Sequence, residues 1–306
     1  MVSGRIVKAL SGFYYVKTED GILVCKARGR FRLDGTSPLV GDWVQCQRDQ
    51  DGTGRIEHVE ERRNWFIRPA AANLDALVFV ASGVNPVTDP YLIDRVSVIA
   101  AESNCELIVC VNKSDLEPAE ALFRLYYKAG FSTVRTSAET GEGLDSLRRL
   151  ISGKTAAFTG NSGVGKSSLL NRLFPDAQMA TAEVSEKLGR GKHTTRHVEL
   201  FELDDATFIA DTPGYASFEL EMMQAIRAEE LPEDFSEFAP YLGQCRFLDC
   251  AHLKEPGCAV TQAVAAGEIS ESRYRSYIRL HELCAQQKFW ERRVSNIIRT
   301  RQNGDL

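Results

Sequence analysis

Residues 158–174, FTGNSGVGKSSLLNRLF, decide how the rest of the chain is read. Gly160, Gly165, Lys166 and Ser167 fill the pattern G-x-x-x-x-G-K-S. The pattern lies between an apolar run that reads as a strand and an amphipathic run that reads as a helix, the setting a phosphate-binding loop requires. Glycines let such a turn close on a phosphate, and the amides from Ser162 to Ser168 are available to its oxygens. Gly160, Asn161, Ser162, Gly163, Val164, Gly165, Lys166, Ser167 and Ser168 are therefore the candidate phosphate set. Lys166 is expected to bridge the outer phosphates, and the Ser167 hydroxyl to hold Mg2+.

Working outward, IADTPG (209–214) supplies Asp211 at the end of an apparent strand, placed to reach the magnesium through water, and Gly214, whose amide can sense the outermost phosphate. On the other side, VNKSDL (111–116) carries Asn112, Lys113 and Asp115. The Asp115 carboxylate matches the paired N–H donors of guanine. Adenine would leave that charge buried and unpaired, so the motif selects GTP and GDP over adenine nucleotides. Asn112 and Lys113 are expected to brace this loop, and TSA (136–138), with Ser137 and Ala138, to bring a backbone amide near the guanine oxygen. The usual order puts the phosphate loop first and the guanine loop late. Here the guanine loop comes first, but the cyclic order is intact and only the cut has moved. Termini of compact domains lie close together, so such a permutation preserves the strand contacts.

The runs LDALVFVAS and CELIVCVN, separated by the helical spacing of PYLIDRVSVIAAES, continue this alternation and predict a doubly wound α/β unit over 69–216. Before it, five short Val-, Ile- and Tyr-rich runs punctuated by glycine predict a small β-barrel over 1–68. After it, residues 217–306 read as helical around Cys245, Cys250, His252 and Cys258, spaced C-x4-C-x-H-x5-C. Three thiolates and an imidazole with no open position suit one structural, tetrahedral Zn2+.

At 306 residues the chain is long enough for two or three such units. The net charge of −5 rules out a uniformly polybasic nucleic-acid binder. The ends differ from the average: residues 1–68 carry twelve Lys and Arg against nine Asp and Glu, and residues 271–306 eight against four. Arg28, Arg30 and Arg32 in the barrel, and Arg292, Arg293, Arg299 and Arg301 at the end, are candidate RNA contacts; a solvated face explains any single one nearly as well, and their placement in both flanking modules favours RNA. No apolar run approaches the length of a membrane span, and MVSGRIVKAL lacks the apolar stretch of a signal peptide. A cytoplasmic monomer is expected, with no membrane partner.

In permuted motif order, flanking barrel and Cys/His segment, essentially the whole chain resembles the RsgA family (also called YjeQ or YloQ), circularly permuted GTPases acting on the small ribosomal subunit. The resemblance implies a multidomain α/β chain: an OB-fold barrel, a circularly permuted P-loop GTPase domain and a C-terminal helical zinc-binding domain. It also implies ribosome-stimulated GTP hydrolysis in late maturation of the small subunit, through contacts with its rRNA.

Between the phosphate loop and Asp211 lies LGRGKHTTRHVEL (188–200), basic and glycine-containing, where a threonine is expected to bind Mg2+. Related families place that threonine directly before Arg or Lys, which favours Thr195 over Thr194. Tyr215 follows Gly214 where many GTPases carry a water-positioning glutamine, so His193 becomes the catalytic candidate. A histidine that contacts RNA or closes the loop fits that position equally. Two other classes compete with the ribosomal reading: a signalling or transport GTPase gripping protein, and a non-enzymatic RNA-binding protein with a retained nucleotide pocket.

Overall fold

The computed structural model describes residues 1–29, 31, 37–66, 70–175, 198–204, 206–211 and 226–286, with only the backbone at Asp211. Strands β1 (Val2–Leu10), β2 (Phe13–Thr18), β3 (Gly21–Ala27), β4 (Trp43–Arg48) and β5 (Gly54–Val59) follow the five runs read from the sequence. They pair in the order β1-β2-β3-β5-β4, and β1–β4 pairing closes the ring, with β3 and β5 parallel and the other pairs antiparallel. This closed five-stranded order is the OB-fold barrel. Alternation fills its interior with Ile6, Val16, Leu23, Cys25, Val44, Cys46 and Ile56, all buried. A two-residue hairpin, β6 (Trp65–Phe66) with β7 (Ala71–Ala72), leads out of the barrel.

The second unit is a six-strand sheet ordered β10-β9-β8-β11-β13-β12. Its members are β8 (Ala76–Ser82), β9 (Glu106–Asn112), β10 (Ser132–Arg135), β11 (Thr155–Thr159), β12 (Glu199–Glu202) and β13 (Phe208–Asp211). All neighbours are parallel except the β12–β13 hairpin. The strand that feeds the phosphate loop, β11, lies between β8 and β13, so the cut in the chain leaves the sheet whole. Helices α1 (Pro90–Glu102) and α2 (Glu120–Lys128) cover one face, and α3 (Leu144–Ile151) and α4 (Lys166–Leu173) the other. Along β8 the two faces separate residue by residue: Leu77, Phe79 and Ala81 pack toward α1, and Ala76, Val78 and Val80 toward α3 and α4. Helix α1 starts sharply because Pro90 takes its first turn and the Asp89 carboxylate accepts the Tyr91 amide at 3.0 Å.

Two joints fix the flanking units to this sheet. On one edge the barrel strand β1 pairs with β12, with Lys8 opposite Glu199, so barrel and α/β unit share one continuous sheet. Lys8 is ion-paired to Glu199 at 2.8 Å and Lys17 to Glu202, while Phe208 of β13 packs against the Arg5 guanidinium. The C-terminal helices α5 (Ala259–Ala265) and α6 (Glu271–Ala285), with the short turns Leu231–Asp234 and Ser236–Phe238, join the core against α1.

Arg273 of α6 anchors this second joint and is fully buried. It donates to Asp94 of α1 at 2.7 Å, to Ser97 at 3.0 Å and to Glu237 through two nitrogens at 2.6 and 3.1 Å, with the rings of Phe235 and Phe131 against its guanidinium. Burial opposes the charge, but Asp94 and Glu237 outweigh it and hold the Arg273 pKa above its ordinary value. The C-terminal helices are seated on α1 through this ion-pair group. Removing one member of a buried ion pair strands the others, so Arg273→Ala is expected to cost about 3–5 kcal/mol of stability. Arg275→Ala, which breaks only the exposed pair with Glu271, should cost under about 0.5 kcal/mol. Urea unfolding of the two variants checks the contrast.

Candidate functional site

Every candidate loop that is described leaves the carboxyl ends of the parallel strands, where open α/β sheets bind ligands. Between β11 and α4, Gly160 has φ +130°, and a Cβ there would lie 2.2 Å from the Val80 carbonyl oxygen, so this position admits glycine alone. At Gly165, φ +92°, a Cβ would lie 2.5 Å from Nδ2 of Asn112. Both conditions leave a cradle lined by backbone at the amino end of α4, which fits a phosphate group. The Lys166 ammonium donates to the carbonyls of Gly160 and Asn161 at 2.6 and 2.7 Å, and burial lowers its pKa.

The guanine loop and the phosphate loop, far apart in sequence, meet at Asn112. Its buried amide donates to the Val164 carbonyl at 2.9 Å, and its Oδ1 accepts from Thr136 Oγ1 and from the Ala138 amide, both at 3.2 Å. One side chain thus joins all three motifs. Asp115, exposed at the rim, accepts a 2.5 Å hydrogen bond from the Ser137 hydroxyl, which aims a carboxylate that the sequence gives only a base-reading role. Ser137 is itself buried and accepts the Thr140 amide at 3.0 Å.

One element of the site escaped the motif reading. The loop after β8 lies beside both motifs: the Asn85 carbonyl accepts from the Lys113 ammonium at 2.6 Å, and Pro86 packs so near Gly163 that a Cβ there would lie 3.2 Å from its ring. Its signal was positional, a proline loop at the carboxyl end of a central strand. Strand β13 ends at Asp211, whose backbone lies opposite Glu199. The Asp211 side chain, His193, Thr194, Thr195, Gly214 and Tyr215 lie outside the described residues, as do Arg30, Arg32, Arg292, Arg293, Arg299 and Arg301.

The second cluster stands apart from the first. The ligand atoms of Cys245, Cys250, His252 and Cys258 all lie within 4.8 Å of one another. Cys245 and Cys258 Sγ are 3.8 Å apart and His252 Nδ1 is 3.5 and 3.4 Å from them. A tetrahedral cation with arms of about 2.3 Å to sulfur has edges of about 3.8 Å between sulfurs, so the donor set fits such a metal. Amides of Ala259 and Thr261 point at the Cys245 and Cys258 sulfurs, at 3.3 and 3.5 Å, donors suited to thiolates. Burial lowers the His252 pKa, favouring the neutral imidazole that ligation needs.

The loop carrying these ligands hangs from α6. Tyr274 donates to the carbonyls of His252 and Leu253, both at 2.9 Å, and Tyr277 to that of Ala251 at 2.6 Å. The Glu255 carboxylate gathers the amides of Ala251, Leu253 and Lys254.

A glycine cradle feeding a helix, a guanine loop bonded to it from upstream in the chain, an OB barrel before and a Cys/His cluster after define a circularly permuted P-loop nucleotide-binding protein. The RsgA GTPase family model matches residues 59–221, and the RsgA N-terminal domain model residues 3–56. The chain is 44% identical over 282 residues to the small ribosomal subunit biogenesis GTPase RsgA of Caldanaerobacter subterraneus subsp. tengcongensis, covering 91% of this chain and 94% of that one. It is 42% identical to the protein of that name from Bacillus anthracis, covering 94% and 99%. Among solved structures it superposes on YjeQ from Thermotoga maritima with a TM-score of 0.79 at 35% identity, covering 94% of this chain and 99% of that one. YloQ, a circularly permuted GTPase, gives 0.75 at 36%, covering 94% and 96%. The chain belongs to the RsgA family.

Replacing Asn112 by Ala orphans the Ala138 amide and the Val164 carbonyl, at about 1–3 kcal/mol each if they stay dry. A drop of at least about tenfold in GDP affinity, measured by titration calorimetry, is the expected outcome. For the metal cluster, elemental analysis should find about one bound divalent metal ion per chain, lost in Cys258→Ala.

Proposed function

We propose that this chain hydrolyses GTP to GDP and phosphate when stimulated by the small ribosomal subunit, and that it acts in the cytoplasm in late maturation of that 30S subunit through contacts with rRNA. The observation that carries the nucleotide part is the Asn112 amide, which couples a guanine loop to a phosphate loop in one pocket. The names of the relatives support the ribosomal part. The units are taken as the RNA-binding barrel over 1–68, the GTPase domain over 69–216 and the zinc-binding domain over 217–306.

In this reading Asp115, aimed by Ser137, selects guanine, and Lys113 lies along the base. The cradle from Gly160 to Ser168 and Gly214 hold the phosphates, with Lys166 neutralising the outer ones. Ser167, Thr195 and Asp211 would hold Mg2+, which supplies charge neutralisation at the transferred phosphate. His193 orients the attacking water. The Cys245, Cys250, His252 and Cys258 set would hold Zn2+ as a structural ion, keeping the loop on α6 in one shape.

Phosphate release from GTP and from ATP, each with and without purified small subunits, tests the reading. A large stimulation specific to GTP, abolished by Lys166→Ala, is expected. Absence of stimulation would move the search to another partner. The His193 assignment predicts that His193→Ala lowers stimulated turnover at least about tenfold while leaving GDP affinity unchanged. Unaltered stimulated turnover removes it.

A further inference from the structure

Outside the four metal-ligating side chains, a second set of residues controls the shape of the loop that carries them. His252 stands at φ +58°, in the left-handed region that a residue with a side chain enters only against a steric penalty. Its neighbours must hold it there. Three of the four amides from Ala251 to Lys254 end on one carboxylate: Glu255 accepts from Ala251 at 3.1 Å, Leu253 at 2.8 Å and Lys254 at 3.0 Å. The carbonyl of Ala251 accepts from the Tyr277 hydroxyl at 2.6 Å, and those of His252 and Leu253 from Tyr274, both at 2.9 Å. Six main-chain groups around the imidazole are therefore satisfied by three side chains that are not ligands.

These side chains have their own anchorage. Tyr274 and Tyr277 are one turn apart on α6, with ring centroids 6.3 Å apart and planes nearly parallel. Tyr277 is fully buried, its ring 5.3 Å from that of Phe235 and 5.0 Å from that of Phe238. The residue before Tyr274 is Arg273, whose buried ion pairs seat the same helix on α1. The frame that fixes the loop thus runs through α6 into the core and does not pass through the ligands. In a small zinc finger the order is reversed, and metal binding supplies the folding energy.

We propose that Glu255, Tyr274 and Tyr277 are positioning residues for the metal. They hold His252 in its left-handed conformation, so that its Nδ1 meets the Cys245 and Cys258 sulfurs before an ion arrives, and the region keeps its fold when the ion is removed. Glu255 is the principal member. A carboxylate has lone pairs on two oxygens for the three amides, and a glutamine at that place has one acceptor oxygen. The proposal rests on the reading of Cys245, Cys250, His252 and Cys258 as a metal site and assigns what sets its affinity. Preorganisation removes the cost of ordering the loop on binding, so its loss appears in the affinity for the ion.

The test is the Zn2+ affinity of the full-length chain, measured under reducing conditions by competition with a chromophoric chelator. Glu255→Ala should weaken Zn2+ binding by about 100-fold and Tyr274→Phe by about 10-fold, the range of partners one shell out from a metal. Glu255→Gln, which keeps one acceptor oxygen, should fall between Glu255→Ala and the parent. With Co2+ as the probe, the parent and Tyr274→Phe should show the same absorption bands at saturation, because the ligands are unchanged and only the affinity has moved. GDP affinity should be the same in all of them. After the metal is chelated from the parent, hydrogen exchange should find the amides of α6 still protected. A role confined to stability would lower the urea midpoint of the variants and leave their Zn2+ affinity equal to that of the parent. That outcome, or loss of α6 protection when the parent is stripped of metal, overturns the proposal. The two readings fail differently: a parent that binds no Zn2+ defeats the metal site itself, whereas equal Zn2+ binding by parent and variants defeats the positioning role alone.

Discussion

The buried amide of Asn112 is the constraint on which the rest of the site depends. It has two donors and an acceptor oxygen with two lone pairs, and no other side chain of its size and neutral charge offers both at fixed geometry. Its partners lie 24, 26 and 52 residues away in sequence. Those separations are long whichever way the chain is cut, because the bonds run between strand ends that are neighbours in the sheet. That is why permutation is tolerated. The sheet order brings β9, β8 and β11 together, and Asn112 fixes the loops at their ends once the strands are in register.

The two flanking units join the α/β unit at different elements and by different physical means. The barrel joins through main-chain pairing and ion pairs at the sheet edge, where Lys8, Glu199 and Asp211 form one row across three strands. The metal-bearing region joins through the buried Arg273 group on α1, and α1 follows directly from the loop whose Asn85 and Pro86 flank the nucleotide motifs. The first joint is partly exposed and open to competition by other ions. In the second, Arg273 and Asp94 are fully buried and only Glu237 reaches solvent, so the pair is far less open to screening.

Much of this was legible in the sequence, for identifiable reasons. The core strands are continuous apolar runs, the barrel strands alternate, and the phosphate, guanine and Cys/His motifs have spacing that survives any surrounding context. The joints were not legible. Lys8 and Glu199 are 191 residues apart, and an arginine in an amphipathic helix such as α6 reads as a solvated residue until the facing Asp94 and Glu237 are known. Nor does a tyrosine announce that its hydroxyl will hold a metal loop, as Tyr274 and Tyr277 do. The aiming of Asp115 by Ser137 belongs to the same class, a side-chain bond between motifs that sequence spacing treats separately.

A chain cut between its guanine and phosphate motifs is expected to build a single pocket selective for guanine. The measurement that tests it most directly is calorimetric titration of the chain with GDP and with ADP in the presence of Mg2+, repeated with Asp115→Ala. One site per chain, preference for GDP by about 10^4-fold or more, and collapse of that preference in the variant are expected. Equal affinity for the two nucleotides, or a GDP preference that survives loss of Asp115, would contradict it.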